Sequence, residues 1–324
     1  MFMDFVLKYR PGVRSMAEVI VAGGLTRRFG KLVALQDLNL KVRSGDCVGL
    51  LGPNGAGKST FIKILCGIMR PTKGRVYVNG LDPFTDRKKA LADVGCIVEE
   101  PTFYPYFNSV TLLRYFGRTR GMEGRGLEKR IDEVLEITDL KKWSKTKVGK
   151  FSRGMRQRLS FAQAILHDPS TLILDEPGLG LDPRAIYEMR QFIKSLASDG
   201  KTIFLASHML YEVQEICRKV ALINEGKLLV HEDVSVLEKM FISHILEVEV
   251  LQAPNATQLR KIKELEGIES LTTDGTSLKL KFNGDRSARA ELLRTLVDEV
   301  KLKVASFSAP SATLEEIYLQ IVGD

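Results

Sequence analysis

The chain has 324 residues, 48 Lys and Arg against 40 Asp and Glu, a formal charge of +8, and 44% hydrophobic residues. That length suits a large domain followed by a small one, and the ordinary globular composition excludes a disordered, collagenous or disulfide-scaffold chain. The longest stretch without a charged residue or His, Pro101 to Leu113, has 13 residues, against the roughly 20 apolar residues of a membrane-spanning helix, so no span is expected.

The first twenty residues carry Asp4, Lys8, Arg10 and Arg14 and no apolar run, which argues against a secretory signal and for a soluble, intracellular protein. Cys47, Cys66, Cys96 and Cys217 show no CxxC spacing. Buried reduced thiols are expected rather than a metal site. Residues 1–180 hold 30 basic and 18 acidic side chains, and residues 181–324 hold 18 and 22. A basic half suits nucleic acid, an anionic membrane surface or phosphate ligands, and charge alone does not choose among them.

Residues 1–16 read as an N-terminal extension ending at Met16, a candidate start. From Glu18 the pattern is β-rich, through VIVAGGLTRRF and ALQDLNLKV to Ser44-Gly45. Cys47 to Gly52 is a short continuous apolar run ending in glycine, as a buried parallel strand would be. A glycine-rich loop and the helically spaced FIKILCGIM follow it. Arg75 to Gly80 alternates like a strand, and Arg87 to Asp168 is mostly helical, with Leu127, Ile131, Val134 and Leu135 on one face. Thr171 to Pro177 and Lys201 to His208 read as core strands around a helix from Arg184 to Ala197. VALINEGKLLV reads as a hairpin turning at Asn224-Glu225-Gly226. Alternating strands and helices predict an α/β sheet covered on both faces. After about Leu237 the order becomes β-α-β-β-α-β with a trailing helix and a hairpin turn at Asp274-Gly275, which predicts a small ferredoxin-like domain. The expected domains are 17–236, with a helical subdomain over about 100–168, and 244–324.

Gly52-Pro53-Asn54-Gly55-Ala56-Gly57-Lys58-Ser59, followed by Thr60, fits the P-loop pattern between its required strand and helix. Glycines let backbone N–H groups turn inward around phosphate oxygens, and the following helix N-terminus adds its positive end. Lys58 would reach the β- and γ-phosphates of a nucleotide, and the Ser59 hydroxyl would ligate Mg²⁺. Asp175 and Glu176 end the run Leu172-Ile173-Leu174, where ligands bind in open α/β sheets. Asp175 fits the metal-holding acid, and Glu176 a base that polarises an attacking water.

The stretch Phe151-Ser152-Arg153-Gly154-Met155-Arg156-Gln157-Arg158, just ahead of that strand, resembles the signature motif of ATP-binding cassette (ABC) ATPases, usually Leu-Ser-Gly-Gly-Gln. The resemblance covers about residues 18–235. Asp182 in Gly-Leu-Asp-Pro matches the family's D-loop, His208 in Ala-Ser-His its switch histidine, and Phe29 the aromatic residue that stacks on adenine. The resemblance implies a P-loop NTPase of the ABC type: a RecA-like parallel core, an antiparallel β subdomain and a helical subdomain. It also implies ATP and Mg²⁺ as ligands and a head-to-tail dimer, with itself or a closely related ATPase. In such a dimer Ser152 and the Gly154 backbone would contact the γ-phosphate held by the partner's P-loop. Water held by Glu176 would attack in line, with Lys58 and His208 absorbing charge.

Two departures stand out. Glu99 follows Val94-Gly95-Cys96-Ile97-Val98 where the family's Q-loop has Gln. It keeps an oxygen for Mg²⁺, loses the amide donors and adds negative charge, so the expected site still hydrolyses ATP but holds the metal differently. The form with Glu resembles ATPases of bacitracin- and lantibiotic-type exporters. Arg153 and Met155 replace Gly and Gln, a form resembling the ATPases that serve ABC-2-type permeases. The aromatic run Phe103, Tyr104, Tyr106 and Phe107 is either local core or the groove that receives a permease's coupling helix. The ending Ala309-Pro310-Ser311 to Leu314-Glu315-Glu316-Ile317-Tyr318 is similar to the appendage of many ABC-2-type ATPases, for which a structural role is expected.

The resemblance therefore implies the ATPase subunit of an exporter, peripheral on the cytoplasmic face of the membrane through a separate integral-membrane permease. A nucleic-acid-linked ATPase is the alternative. Chromosome-maintenance relatives carry a long coiled coil between P-loop and signature motif, and no sustained heptads separate Lys58 from Ser152. Translation-factor relatives usually hold two cassettes, and this chain has one P-loop. No nucleic-acid partner is expected. A regulatory protein that only binds ATP is disfavoured by Glu176 and His208.

Overall fold

A computed structural model describes residues 17–240, 245–309 and 314–322. The 1–16 extension, with Met16, and Pro310 and Ser311 of the C-terminal ending lie outside the described residues. The chain divides between Val234 and Ser235 into two compact units.

In the first unit β1 (Glu18–Phe29) and β2 (Leu32–Arg43) lead into β3 (Cys47–Leu51), the P-loop and α1 (Lys58–Leu65). Next come β4 (Lys73–Val78), α2 (Arg87–Ala90), β5 (Val94–Ile97) and the helices α3 (Ser109–Thr119), α4 (Gly124–Ile137) and α5 (Arg153–Ile165). The chain then runs through β6 (Thr171–Asp175), α6 (Pro183–Ser198), β7 (Thr202–Ser207) and α7 (Leu210–Ile216). The hairpin β8 (Lys219–Asn224) and β9 (Lys227–Asp233) follows, and α8 (Val234–Met240) begins at the division.

A six-stranded sheet runs β5-β6-β7-β3-β8-β9, parallel except for β9, and a three-stranded antiparallel sheet runs β2-β1-β4. Every residue of β3, β6 and β7 is buried, which is why these strands are continuously apolar rather than alternating. Alternate residues Val48, Leu50, Ile173, Phe204 and Ala206 join α1 and the antiparallel sheet in one core. Phe61 of α1 meets Phe204 edge to face at 5.7 Å, with both rings fully buried. α7 lies over β3 and β7, with Val213 against Gly49.

The helical segment follows from local signals. Asn108 caps α3 by accepting from Thr111 N at 2.8 Å, and the expected face of α4, from Leu127 to Leu135, is buried. Arg120, just past α3, ties the segment to the large sheet by donating to Ala92 O at 3.3 Å and Val94 O at 3.2 Å.

The loop into α1 is shaped by close backbone approach. Gly57 has φ 108, and a β-carbon there would sit 2.4 Å from the Ala34 carbonyl oxygen of β2. Gly226, in the β8–β9 turn, presses on the same carbonyl, donates to Ala56 O at 3.0 Å and accepts from Gln36 N at 2.8 Å. Only glycine fits either position.

The second unit holds β10 (Ile245–Val250), α9 (Ala256–Lys263), β11 (Ile268–Asp274), β12 (Ser277–Phe282), α10 (Arg286–Asp298), β13 (Val304–Ser308) and α11 (Leu314–Val322). Its antiparallel sheet runs β11-β12-β10-β13, the ferredoxin-like order, over a core of Leu246, Val248, Leu278, Leu280 and Leu296. The hairpin turn is one residue later than the sequence predicts. Asp274 pairs with Ser277 in the ladder, so the turn centres on Gly275 and Thr276, with Gly275 at φ 60. Glycine thereby takes the first central position, where the left-handed backbone is needed.

All four cysteines are free, and Cys96 is half-buried rather than buried. They lie in two unforeseen pairs, Cys47 with Cys217 and Cys66 with Cys96, each with sulfurs 3.5 Å apart. Among the described residues no helix is long and apolar enough to cross a membrane. Phe204→Ala should cost about 3–5 kcal/mol by removing the ring on which α1 rests, read as a lower urea midpoint at unchanged slope.

Candidate active site

Parallel pairing brings three strand ends level. Leu51 of β3 pairs with Ser207 of β7, and Asp175 of β6 with Ala206. The residues just beyond, Gly52, Glu176 and His208, therefore open onto one edge of the sheet. The loop from Gly52 to Gly57 turns above it and ends in α1, whose N-terminal cap is Gly57.

Lys58 is only 5% exposed. Its ammonium donates to Gly52 O at 2.7 Å and Pro53 O at 3.2 Å and pairs with Glu176 Oε1 at 3.4 Å. The other oxygen of Glu176 meets His208 Nδ1 at 2.7 Å and the His208 backbone N at 3.3 Å. With Glu176 ionised, Nδ1 carries the hydrogen and Nε2 is the free ring position. Glu176 also has φ 45, left-handed for a residue with a side chain, and such strain concentrates at working sites.

Ser59 Oγ donates to Asp175 Oδ1 at 3.2 Å. Asp175 is 5% exposed, and burial, reinforced by the neighbouring Glu176, pushes its carboxyl above the usual range against the Ser59 hydrogen bond. A hydroxyl and a carboxylate converging in this way are the hard oxygen donors Mg²⁺ takes alongside phosphate. Glu99, the third expected ligand, lines the same cavity of about 270 Å³ as Ser59 and Asp175. Its carboxylate, however, is ion-paired with Lys63 of α1, and its backbone is left-handed at φ 63. The added charge expected at this position is thus countered by a cation that a Gln would not need.

A second cavity, about 430 Å³, is lined by Phe29, Asn54, Gly55, Gly57, Lys58, Ser59, Thr60, Glu176 and His208, among others. Phe29 is half exposed at its rim, and the Arg27 guanidinium sits 4.6 Å over its ring. Within the loop Ala56 N donates to Pro53 O at 3.2 Å.

Ser152, Gly154 and Asp182 do not line that cavity. Ser152 caps α5 by accepting from Met155 N at 3.2 Å, and Asp182 caps α6 by accepting from Ala185 N at 2.9 Å. Sequence reasoning missed three neighbours. Lys63 pairs with Glu99, Arg153 reaches Glu100 at 3.3 Å, and Glu212 lies buried, bonded to Ser207 next to His208. Glu212 follows His208 by four residues at the start of a helix, and that spacing was the available signal.

Of the four loop aromatics, Tyr104 and Tyr106 are 67% and 79% exposed and Phe107 is also exposed. Phe103 alone packs inward, its ring centroid 6.5 Å from that of Phe116. The local-core alternative therefore fails for three of the four.

A family model described as ABC transporter matches residues 35–178. The bacitracin transport ATP-binding protein BcrA of Bacillus licheniformis is 44% identical over 215 residues, 66% of this chain and 69% of that protein. The Nod factor export ATP-binding protein I of Cupriavidus pinatubonensis is 36% identical, over 66% of each chain. The linearmycin resistance ATP-binding protein LnrL of Bacillus subtilis is 27% identical across 94% of this chain and 98% of its own. Among solved structures, the ATP-binding subunit of an ABC transporter superposes with a TM-score of 0.63 at 27% identity, covering 69% of this chain and 93% of that one. A dimeric post-hydrolysis cassette bound to ADP and phosphate superposes at 0.61 over 66% of this chain and 98% of that one; at 23% identity the likeness is one of fold.

Proposed function

The chain belongs to the ATP-binding subunits of ABC transporters, and we propose that it hydrolyses ATP as a dimer to drive export through a separate ABC-2-type permease. The observation that carries the reading is the Lys58–Glu176–His208 cluster beside the Ser59–Asp175 pair at one sheet edge.

In this reading the backbone of Gly52 to Gly57 and the N-terminus of α1 cradle the phosphates, Phe29 stacks on the adenine, and Lys58 shifts from its loop carbonyls to the β- and γ-phosphate oxygens. Ser59 and Asp175 hold Mg²⁺, which when bound neutralises charge on those oxygens. Glu176 orients the attacking water and takes its proton, while His208, held by Glu176 through Nδ1, turns Nε2 toward the γ-phosphate, to which it donates as the imidazolium. Ser152 and the Gly154 backbone, at the start of α5, contribute to the nucleotide of the partner cassette. Asp182 lies where the two cassettes meet. The second ATPase is another copy or a close relative.

Export is supported by the names of relatives that serve bacitracin transport, Nod factor export and linearmycin resistance. The exposed aromatics Tyr104, Tyr106 and Phe107 support a permease contact beside Glu99, which would hold the chain at the cytoplasmic face of the membrane.

Glu176→Gln should lower kcat by on the order of 10² to 10⁴ while an ATP-stabilised dimer accumulates, read by phosphate release and light scattering. Activity within a few fold of the parent would remove Glu176 from this role. Glu99→Gln should move the Mg²⁺ concentration that gives half-maximal hydrolysis, and an unchanged Mg²⁺ titration and rate would show that Glu99 does not reach the metal. Replacing both Tyr104 and Tyr106 by Ala should abolish transport in reconstituted vesicles with basal ATPase activity kept; transport at the parent rate would refute the contact.

A further inference from the structure

Glu212 is the third residue of α7, is 2% exposed, and has no part in the chemistry above. Burial pushes its carboxyl above the usual range, so the fold is destabilised by keeping an ionisable group there. An acid in the first turn of a helix already helps its dipole from the surface. That benefit does not explain the burial.

The contacts of the two carboxyl oxygens do. Oε2 accepts from Ser207 Oγ at 3.1 Å, and Ser207 Oγ in turn accepts from Met209 N at 3.0 Å. These are the two residues flanking His208, so the chain of bonds grips the turn that carries the imidazole. Oε1 is buried with no hydrogen-bond partner. It faces Gly178, two residues past Glu176, where a β-carbon would sit 2.7 Å from it. One side chain thus bears on both segments whose side chains meet in the 2.7 Å contact between Glu176 and His208. A buried polar atom left without a partner calls for a reason beyond packing.

We propose that Glu212 is a positioning residue for ATP hydrolysis, a strut that sets the Glu176–His208 contact by bracing the turn around His208 against the segment around Gly178. The proposal rests on the hydrolytic reading above for its consequence in rate, but not for the geometry. It acts through His208 and Glu176, never on the nucleotide. Because the P-loop and Phe29 lie on other elements, loss of the strut lowers kcat far more than it weakens ATP binding. A displacement of about 1 Å in such a pair is enough to cost on the order of 10²-fold in rate.

The test uses the full chain with Glu212→Ala, Glu212→Gln and Gly178→Ala. Gly178→Ala pushes on the strut from the far side. For each, kcat and KM for ATP are measured beside the melting temperature and the imidazole Nδ1–H signal of His208 by NMR, assigned with His208→Gln. Glu212→Ala and Gly178→Ala should lower kcat by about tenfold or more with KM within twofold, and should shift or broaden the His208 signal. Glu212→Gln keeps the Ser207 bond and should stay within about threefold of the parent. An unmoved His208 signal with unchanged kcat in Glu212→Ala overturns the strut, as does a loss in which KM, kcat and melting temperature all fall together in every variant. A parent chain that does not hydrolyse ATP, with the His208 signal still moved by Glu212→Ala, sinks the hydrolytic reading and leaves the strut standing.

Discussion

The backbone ladder joining β6, β7 and β3 sets where chemistry can happen in this chain. Because helices return each strand parallel to the last, all three end on the same side of the sheet, with Asp175 opposite Ala206 and Leu51 opposite Ser207. The ladder reaches one step further, Glu176 N donating to Ala206 O at 2.9 Å. Side chains far apart in sequence are then fixed relative to one another by main-chain hydrogen bonds, the least compliant element available. The P-loop, the two acids and His208 are all positioned from this one edge.

The charges at the edge require company. Asp175 and Glu176 are adjacent anions, Asp175 with its carboxyl almost fully buried, and close carboxylates raise one another's proton affinity. Lys58 and His208 take up Glu176, while Ser59 serves Asp175. A step away, Glu99 and Glu100 are met by Lys63 from α1 and Arg153 from α5. The segment that follows β5 is therefore held electrostatically to both α1 and α5. Exposed pairs of this kind are weak. Stability comes instead from the apolar layers around Phe61 and Phe204.

Much of this was legible beforehand. A glycine loop between a buried strand and a helix, and two acids at the end of another buried strand, are local patterns with local causes. So is the β-α-β-β-α-β order of the second unit. What escaped depends on distance through space. Nothing in the residues around Lys63 or Arg153 says which carboxylate each will meet, and the two cysteine pairs follow no spacing rule. The left-handed backbones at Glu99 and Glu176 were invisible because such positions are read from Gly or Asn. Periodicity also could not say whether the run from Phe103 to Phe107 faced in or out, because a loop has no period. The turn at Gly275 was misplaced by one residue because Asp-Gly reads as a turn centre wherever it occurs, whereas cross-strand pairing with Ser277 kept Asp274 in the ladder.

Two of the hairpin turns look alike on paper, each a short glycine-bearing link between strands. The β8–β9 turn wedges Gly226 against the Ala34 carbonyl and hydrogen-bonds the P-loop through Ala56. A β-carbon at Gly275, in the turn between β11 and β12, would meet nothing within 4 Å. The first is structurally part of the phosphate loop although it lies far downstream in the chain. Cutting, lengthening or labelling the chain there would disturb nucleotide binding as directly as a lesion in the loop itself. The second turn is where a fluorophore, an affinity tag or a new terminus can be introduced without meeting a packed neighbour.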